Sequence, residues 1–203
     1  MWCSTRWRVE RLALLLVLQL GLVGCTLAST GPLAAGAPSI AAVPAASHPQ
    51  LAGSRLQGEA KLRFWGMRIY HAQLWTLANF EPERADAQPL VLELAYLRDL
   101  KGSAIAERSL QEMRRAANFT DAQAQRWLAR MQSAFPDVRA GDRLTGLHQP
   151  GQGADFWHNG RPSGRVDDAE FARLFFGIWL APTTAEPDLR LALLGLKPRE
   201  QRQ

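Results

Sequence analysis

Arg55-Leu56-Gln57-Gly58-Glu59-Ala60-Lys61-Leu62-Arg63 alternates strictly, with Leu56, Gly58, Ala60 and Leu62 on one side and Arg55, Gln57, Glu59, Lys61 and Arg63 on the other. Successive side chains of a strand point to opposite faces, so this stretch predicts a strand with one buried and one solvated face. Met67 to Trp75 follows at once and is apolar on both sides, which predicts a second strand, central in its sheet. Leu90 to Leu97 reads as a third strand, and the charged stretch Glu81 to Gln88 as the turn or loop before it.

The period changes after Gly102. Ala106, Leu110, Met113 and Ala117 fall on one helical stripe. Thr120 with Gln123 forms a capping box that opens a second helix, lined by Ala124, Trp127, Leu128, Met131 and Phe135 and closed by Pro136. Strand period returns from Asp142 to His148 and from Ala154 to His158, with a turn at Pro150-Gly151-Gln152-Gly153 between them. Asn159-Gly160 is a strong hairpin signal and leads into a strand through Gly164, Arg165 and Val166. Asp167 with Glu170 predicts the cap of a third helix whose buried stripe is Phe171, Leu174, Phe175, Ile178 and Trp179. Pro182 ends it, and Pro187 opens a short last helix that Gly195 caps. Strands, a helical pair, strands, then helices is an α+β order, with an antiparallel sheet and helices on one face.

Outward from this domain, the N-terminus has the layout of an export signal. Arg6, Arg8 and Arg11 precede an uncharged run from Leu12 to Val23, too short for the roughly 20 apolar residues of a spanning helix. Leu22-Val23-Gly24-Cys25 resembles the lipobox of bacterial lipoproteins, so residues 1–24 are expected to be removed and Cys25 to carry lipid. The alternative is an ordinary cleaved leader and a soluble periplasmic product. Cys3 leaves with the leader, so Cys25 is the single cysteine of the mature chain and no disulfide can form within it. Thr26 after the cysteine favours the outer membrane, by resemblance to the sorting habit of Gram-negative lipoproteins. Residues 25–50 are rich in Ala, Pro, Gly and Ser, carry no charged side chain, and read as a flexible tether to a domain over 51–196, followed by a polar tail at 197–203. The formal charge of +5 falls to +3 once Arg6, Arg8, Arg11 and Glu10 depart, with both signs interspersed, which argues against nucleic acid as a partner.

Motif chemistry is sparse. His48, His71, His148 and His158 do not combine with carboxylates or cysteines at a metal-ligand spacing, and no phosphate loop, dinucleotide turn or nucleophile elbow is present. Neither a metal nor a cofactor is expected. Asp167-Asp168 precedes an apolar helix and reads as capping, not as a catalytic carboxylate pair.

Leu56-Gln57-Gly58, Leu62-Arg63-Phe64 and Ile69-Tyr70-His71-Ala72-Gln73-Leu74-Trp75 resemble the opening strands of the chalcone isomerase family. Leu92-Glu93-Leu94 with Arg98-Asp99, Gly141-Asp142-Arg143, the Asn159-Gly160 hairpin with Gly164, and Phe171 to Leu180 are similar to it in the same order, across most of residues 51–196. The likeness is to its bacterial chalcone isomerase-like branch. It implies an open-faced β-sandwich, a large antiparallel sheet with helices over one face and a ligand cleft between them. The family includes enzymes that cyclise chalcones, fatty-acid-binding members and others. In the plant enzymes a threonine helps to hold the developing enolate, and its matching position here is Trp65, which has no hydroxyl. In the fatty-acid-binding branch an arginine and a tyrosine hold the carboxylate, and the resemblance assigns these roles to Arg63 and Tyr70. The expectation is therefore a lipid-anchored, periplasm-facing envelope protein that binds a small apolar or acyl acid without catalysis. The alternatives are an intramolecular lyase or isomerase acting on an enone, and a ligand-free envelope interaction module. Trp65, Trp75, Trp127, Trp157 and Trp179 are expected to pack more than to line a pocket.

Overall fold

The computed structural model describes residues 51–64 and 66–196, with Phe64 described by its backbone alone. The leader, Cys25, the tether, Trp65 and the polar tail lie outside the described residues. Among the described residues six strands run in sequence order through one sheet: β1 (Arg55–Phe64), β2 (Met67–Thr76), β3 (Leu90–Tyr96), β4 (Arg143–Gln149), β5 (Gly153–His158) and β6 (Arg161–Val166). Each neighbouring pair is antiparallel. Four helices complete the domain: α1 (Gly102–Ala116), α2 (Asp121–Ala134), α3 (Ala169–Leu180) and α4 (Pro187–Leu193). The charged stretch before β3 closes into a 3-10 turn over Pro82–Ala87. This is the open-faced α+β architecture the sequence predicts, although β2 is second in the sheet and not central.

One cross-strand row explains how the helices sit. Gly58, Leu74, Leu92, Gly146, Phe156 and Gly164 stand opposite one another from β1 to β6. Its three glycines are the points of close approach. A Cβ on Gly58 would strike the backbone carbonyls of Ala192 and Leu193 in α4, one on Gly146 would come within 3.1 Å of the Phe176 ring of α3, and one on Gly164 within 2.5 Å of Ala134 Cβ in α2. All three helices thus lie on the same face of the sheet. The adjacent row on the other face is Glu59, Gln73, Glu93, Thr145, Trp157 and Pro162, mostly polar, with Glu93 paired to Arg143.

The strict alternation read in β1 breaks at its start. The register slips between Leu56 and Gly58, so Leu56 stands opposite Trp75 and is 42% exposed, while Gln57 turns in to the helices. Its Nε2 donates to the Leu194 carbonyl, and its Oε1 accepts from Thr76 Oγ1, which is fully buried. The bulge exists because those buried groups need a polar partner, and a bulge re-aims one side chain without ending the strand.

Helix ends follow local chemistry. Thr120 and Gln123 form the reciprocal capping box. The cap of α3 is Asp168, one residue beyond the expected Asp167: Asp168 Oδ1 accepts from Phe171 N at 2.9 Å, while Oδ2 accepts from the Trp127 indole at 2.8 Å. Asp167 instead pairs with Arg165. One carboxylate therefore caps α3 and ties it to α2. Between helices and sheet the core is aromatic. Ring contacts run from Phe119 to Trp127 (4.7 Å), Phe171 (6.0 Å), Phe175 (5.5 Å) and Trp179 (5.4 Å), with Phe156 of the sheet 5.3 Å from Phe175. Each such ring taken out of water stabilises the fold by roughly 1.5–3 kcal/mol.

Candidate functional site

Tyr70 lies on the helix-covered face at the end of this aromatic row. In register it stands opposite Leu62 on β1 and Tyr96 on β3, and its ring meets that of Tyr96 edge-on at 5.9 Å. From α3 the Trp179 indole N–H donates to the Tyr70 hydroxyl oxygen at 2.9 Å. Tyr70 is the acceptor in that bond, and among the described residues no hydrogen bond uses its own O–H. Burial pushes the phenol well above its ordinary pKa, against the lowering effect of the Trp179 bond, with Glu186 and Glu112 adding to the rise and Arg108 opposing it. Burial raises Tyr96 in the same direction, with Tyr70 adding to it. Both rings stay neutral, and Tyr70 keeps a proton to offer.

Charge reaches this corner from α1. Glu112, 11% exposed, lies between two arginines of its own helix: Arg108 Nη2 is 2.5 Å from Oε1, and Arg115 Nη1 donates to Oε2 at 3.0 Å. The Arg108 contact is close enough for an ion pair but is not aligned as a hydrogen bond, so Oε1 is buried with no hydrogen-bond donor. Arg108 itself is exposed along more than half of its side chain. The corner thus combines a neutral phenol, an indole, a partly exposed guanidinium and a largely buried carboxylate. That set can hold a small acid or a polarised carbonyl.

Arg63 is placed differently. It continues the exposed row of Glu59 and Lys61, stands opposite Arg68 in register, and makes no hydrogen bond to Tyr70. Tyr70 is bonded to Trp179, 109 residues away, and the arginine whose charge bears on it is Arg108. Neither Arg108 nor Glu112 was singled out from the sequence; their spacing of four on a predicted helix is a signal for an ion pair, not for a site. Trp127 and Trp179 are buried as packing predicts, at 1% and 7% exposure, and each also spends its N–H on a named acceptor. A surface cleft of about 270 Å³ lies elsewhere, between the end of α2 and the β5–β6 hairpin, lined by Phe135, His158, Arg161 and Ser163 among others and by neither Arg63 nor Tyr70.

Comparison with known proteins places this architecture. Among solved structures it is similar to a fatty-acid binding protein of Arabidopsis thaliana, with a TM-score of 0.54 and 12% identity over 70% of this chain and 87% of that one, a likeness of fold. An uncharacterized protein of Haemophilus influenzae is 30% identical over 138 residues, 68% of this chain; the chain spans 66% of that relative, just under two thirds of its length. The family described as chalcone isomerase-like matches residues 39–195, well over half of the chain and through every strand and helix described above. By sequence span and by fold, the chain belongs to the chalcone isomerase-like family.

Proposed function

We propose that this chain is exported, held at a membrane by lipid on Cys25, and binds a small apolar acid of the fatty-acid kind without turning it over. The observation that carries the binding reading is the Tyr70 hydroxyl, which accepts from Trp179 and keeps its own proton for an incoming acceptor. A carboxylate there would take the phenolic O–H as one donor and draw Arg108 from its partly exposed pairing with Glu112 as the second. Leu62, opposite Tyr70 and packed against the core, offers the first apolar contact to the tail. Arg63 enters only if a ligand draws it round the strand, and Arg108, whose charge bears on the phenol, is the cation in this reading. The likeness of fold to a fatty-acid binding protein supports the ligand class, and the Leu22-Val23-Gly24-Cys25 stretch supports the anchor.

Native mass spectrometry of the detergent-extracted full chain tests both parts. The wild type should carry an acyl acid and a diacylglyceryl mass on Cys25. Tyr70→Phe should lose the first and keep the second, and Cys25→Ala should do the reverse. An unlipidated wild type would remove the anchor, and acceleration of chalcone cyclisation over solvent would remove the non-catalytic part.

A second reading has its own support. The contacts from Phe119 to Trp179 fill much of the space between sheet and helices with rings. A ligand-free envelope interaction module would be built in that way. Absence of a co-purified acid, with no shift of the Trp179 indole resonance on titration with palmitate, would favour it.

A further inference from the structure

The end of the β1–β2 hairpin carries positive charge that no carboxylate among the described residues neutralises. Arg63 and Arg68 are cross-strand partners just past a second register shift in β1, between Leu62 and Arg63; both are exposed, and among the described residues no carboxylate pairs with either. Like charges facing each other across two strands destabilise the pair. Two other arginines of this sheet are matched by carboxylates: Arg143 pairs with Glu93, and Arg165 with Asp155. A third guanidinium is held at the same end, where Arg98 Nη1 donates to Met67 Sδ at 3.1 Å. Its neighbour Asp99 is turned away, accepting from the Ala140 N–H at 2.9 Å. Met67 is 48% exposed, one of two large apolar side chains so exposed among the described residues.

We propose that this hairpin end is a docking surface for an anionic lipid bilayer. Guanidinium groups bind phosphate in a forked geometry, and a bilayer supplies a plane of phosphates to the exposed arginines of this hairpin. The flexible, polarisable thioether of Met67 enters between headgroups, where an exposed apolar group in water gains by burial. The mutual repulsion of Arg63 and Arg68, a cost in the free protein, is relieved when both meet counter-charge. The surface is independent of the Tyr70 site and of the lipid on Cys25.

Sedimentation of the full chain with vesicles of pure phosphatidylcholine and with vesicles containing phosphatidylglycerol tests this. An N-terminal lipid holds the chain to both kinds equally, so the readout is the excess on the anionic vesicles. That excess is expected to fall with added salt and by roughly fivefold or more in Arg63→Glu and in Arg68→Glu. Met67→Asp should lower it as well. Arg126→Glu with Arg130→Glu on α2, also exposed, should not, and neither should Tyr70→Phe. Arg68→Glu should raise the Tm of the free protein while it loses the excess, which no folding defect would produce. No excess in the wild type overturns the proposal, as does an excess untouched by both hairpin reversals. Retention on heparin without an excess on vesicles would also overturn it and assign the surface to an acidic macromolecule.

Discussion

Trp179 on α3 and Tyr70 on β2 are joined by one hydrogen bond of 2.9 Å between residues 109 positions apart. It ends the aromatic row of the core and fixes the direction of the only polar group in the Tyr70 side chain. Tyr70→Phe removes the acceptor and leaves the indole N–H of Trp179, a 7% exposed residue, without a partner. A buried donor left unpaired costs about 1–3 kcal/mol. Urea denaturation of Tyr70→Phe should show a loss of that size. Trp179→Phe should cost more, because ring area goes too, and the double variant should be less destabilised than the sum of the singles by about 0.5–1.5 kcal/mol. Additive losses would mean that the bond is not coupled in solution.

Much of the fold was legible because it is periodic and local. The Thr120–Gln123 box formed as read, and Asn159-Gly160 takes positive φ at both residues, 50° and 77°, as a two-residue hairpin requires. Gly195, at φ 67°, ends α4, with the Leu196 N–H bonded back to the Leu191 carbonyl. What sequence could not give was long-range pairing. The Gln57 bulge depends on Thr76 and Leu194, which alternation in one strand cannot foresee. The shift of the α3 cap from Asp167 to Asp168 depends on the Trp127 indole arriving from α2. At the candidate site Tyr70 is legible from family resemblance, whereas its partner Trp179 reads as packing and nothing in the sequence marks Arg108. A helix stripe records that a residue is buried and not which polar atom it meets.

Arg108 and Arg63 make opposite predictions about the ligand. If the acid sits at Tyr70, Arg108→Ala should release it, lowering the bound fraction in native mass spectra by about tenfold, in keeping with roughly 1.5–3 kcal/mol for a hydrogen bond to a charged group. Arg63→Ala should retain it, because that side chain lies on the exposed row with Glu59 and Lys61. The reverse outcome would restore the arginine that family resemblance assigns.

Gly58 tests how closely α4 is seated. An alanine there would place its Cβ within 2.8 Å of the Leu193 carbonyl carbon and closer still to two backbone oxygens. Backbone cannot rotate aside as a side chain can, so α4 must move or β1 must bend. Gly58→Ala should destabilise by about 1–3 kcal/mol, the usual range for overpacking. Hydrogen exchange should quicken in α4 before it does in β4 or β5. Gly160→Ala, with open space around its Cβ but φ of 77°, should cost about 1 kcal/mol through backbone strain alone and leave α4 exchange unchanged. Equal effects on α4 in both variants would mean that the close approach is not what seats the helix.

His148 should make the domain acid-sensitive. It is 2% exposed on β4, with Nδ1 3.2 Å from the Gln88 carbonyl and its ring 5.1 Å from Phe176. Burial lowers its pKa below the ordinary 6.5, and the Gln88 carbonyl and the charge of Asp86 offset only part of that. The unfolded chain therefore binds a proton near pH 6.5 while the folded one still refuses it. Stability from this group is complete above that pH and falls as pH drops toward the folded-state value, at up to about 1.4 kcal/mol per pH unit. Urea denaturation at a series of pH values from about 7.5 down to about 5 should show the decline. His148→Asn, whose amide N–H can take the place of Nδ1 toward the Gln88 carbonyl but does not titrate, should start less stable and lose less across the same range. A decline equally steep in that variant would show that acid acts on some other group.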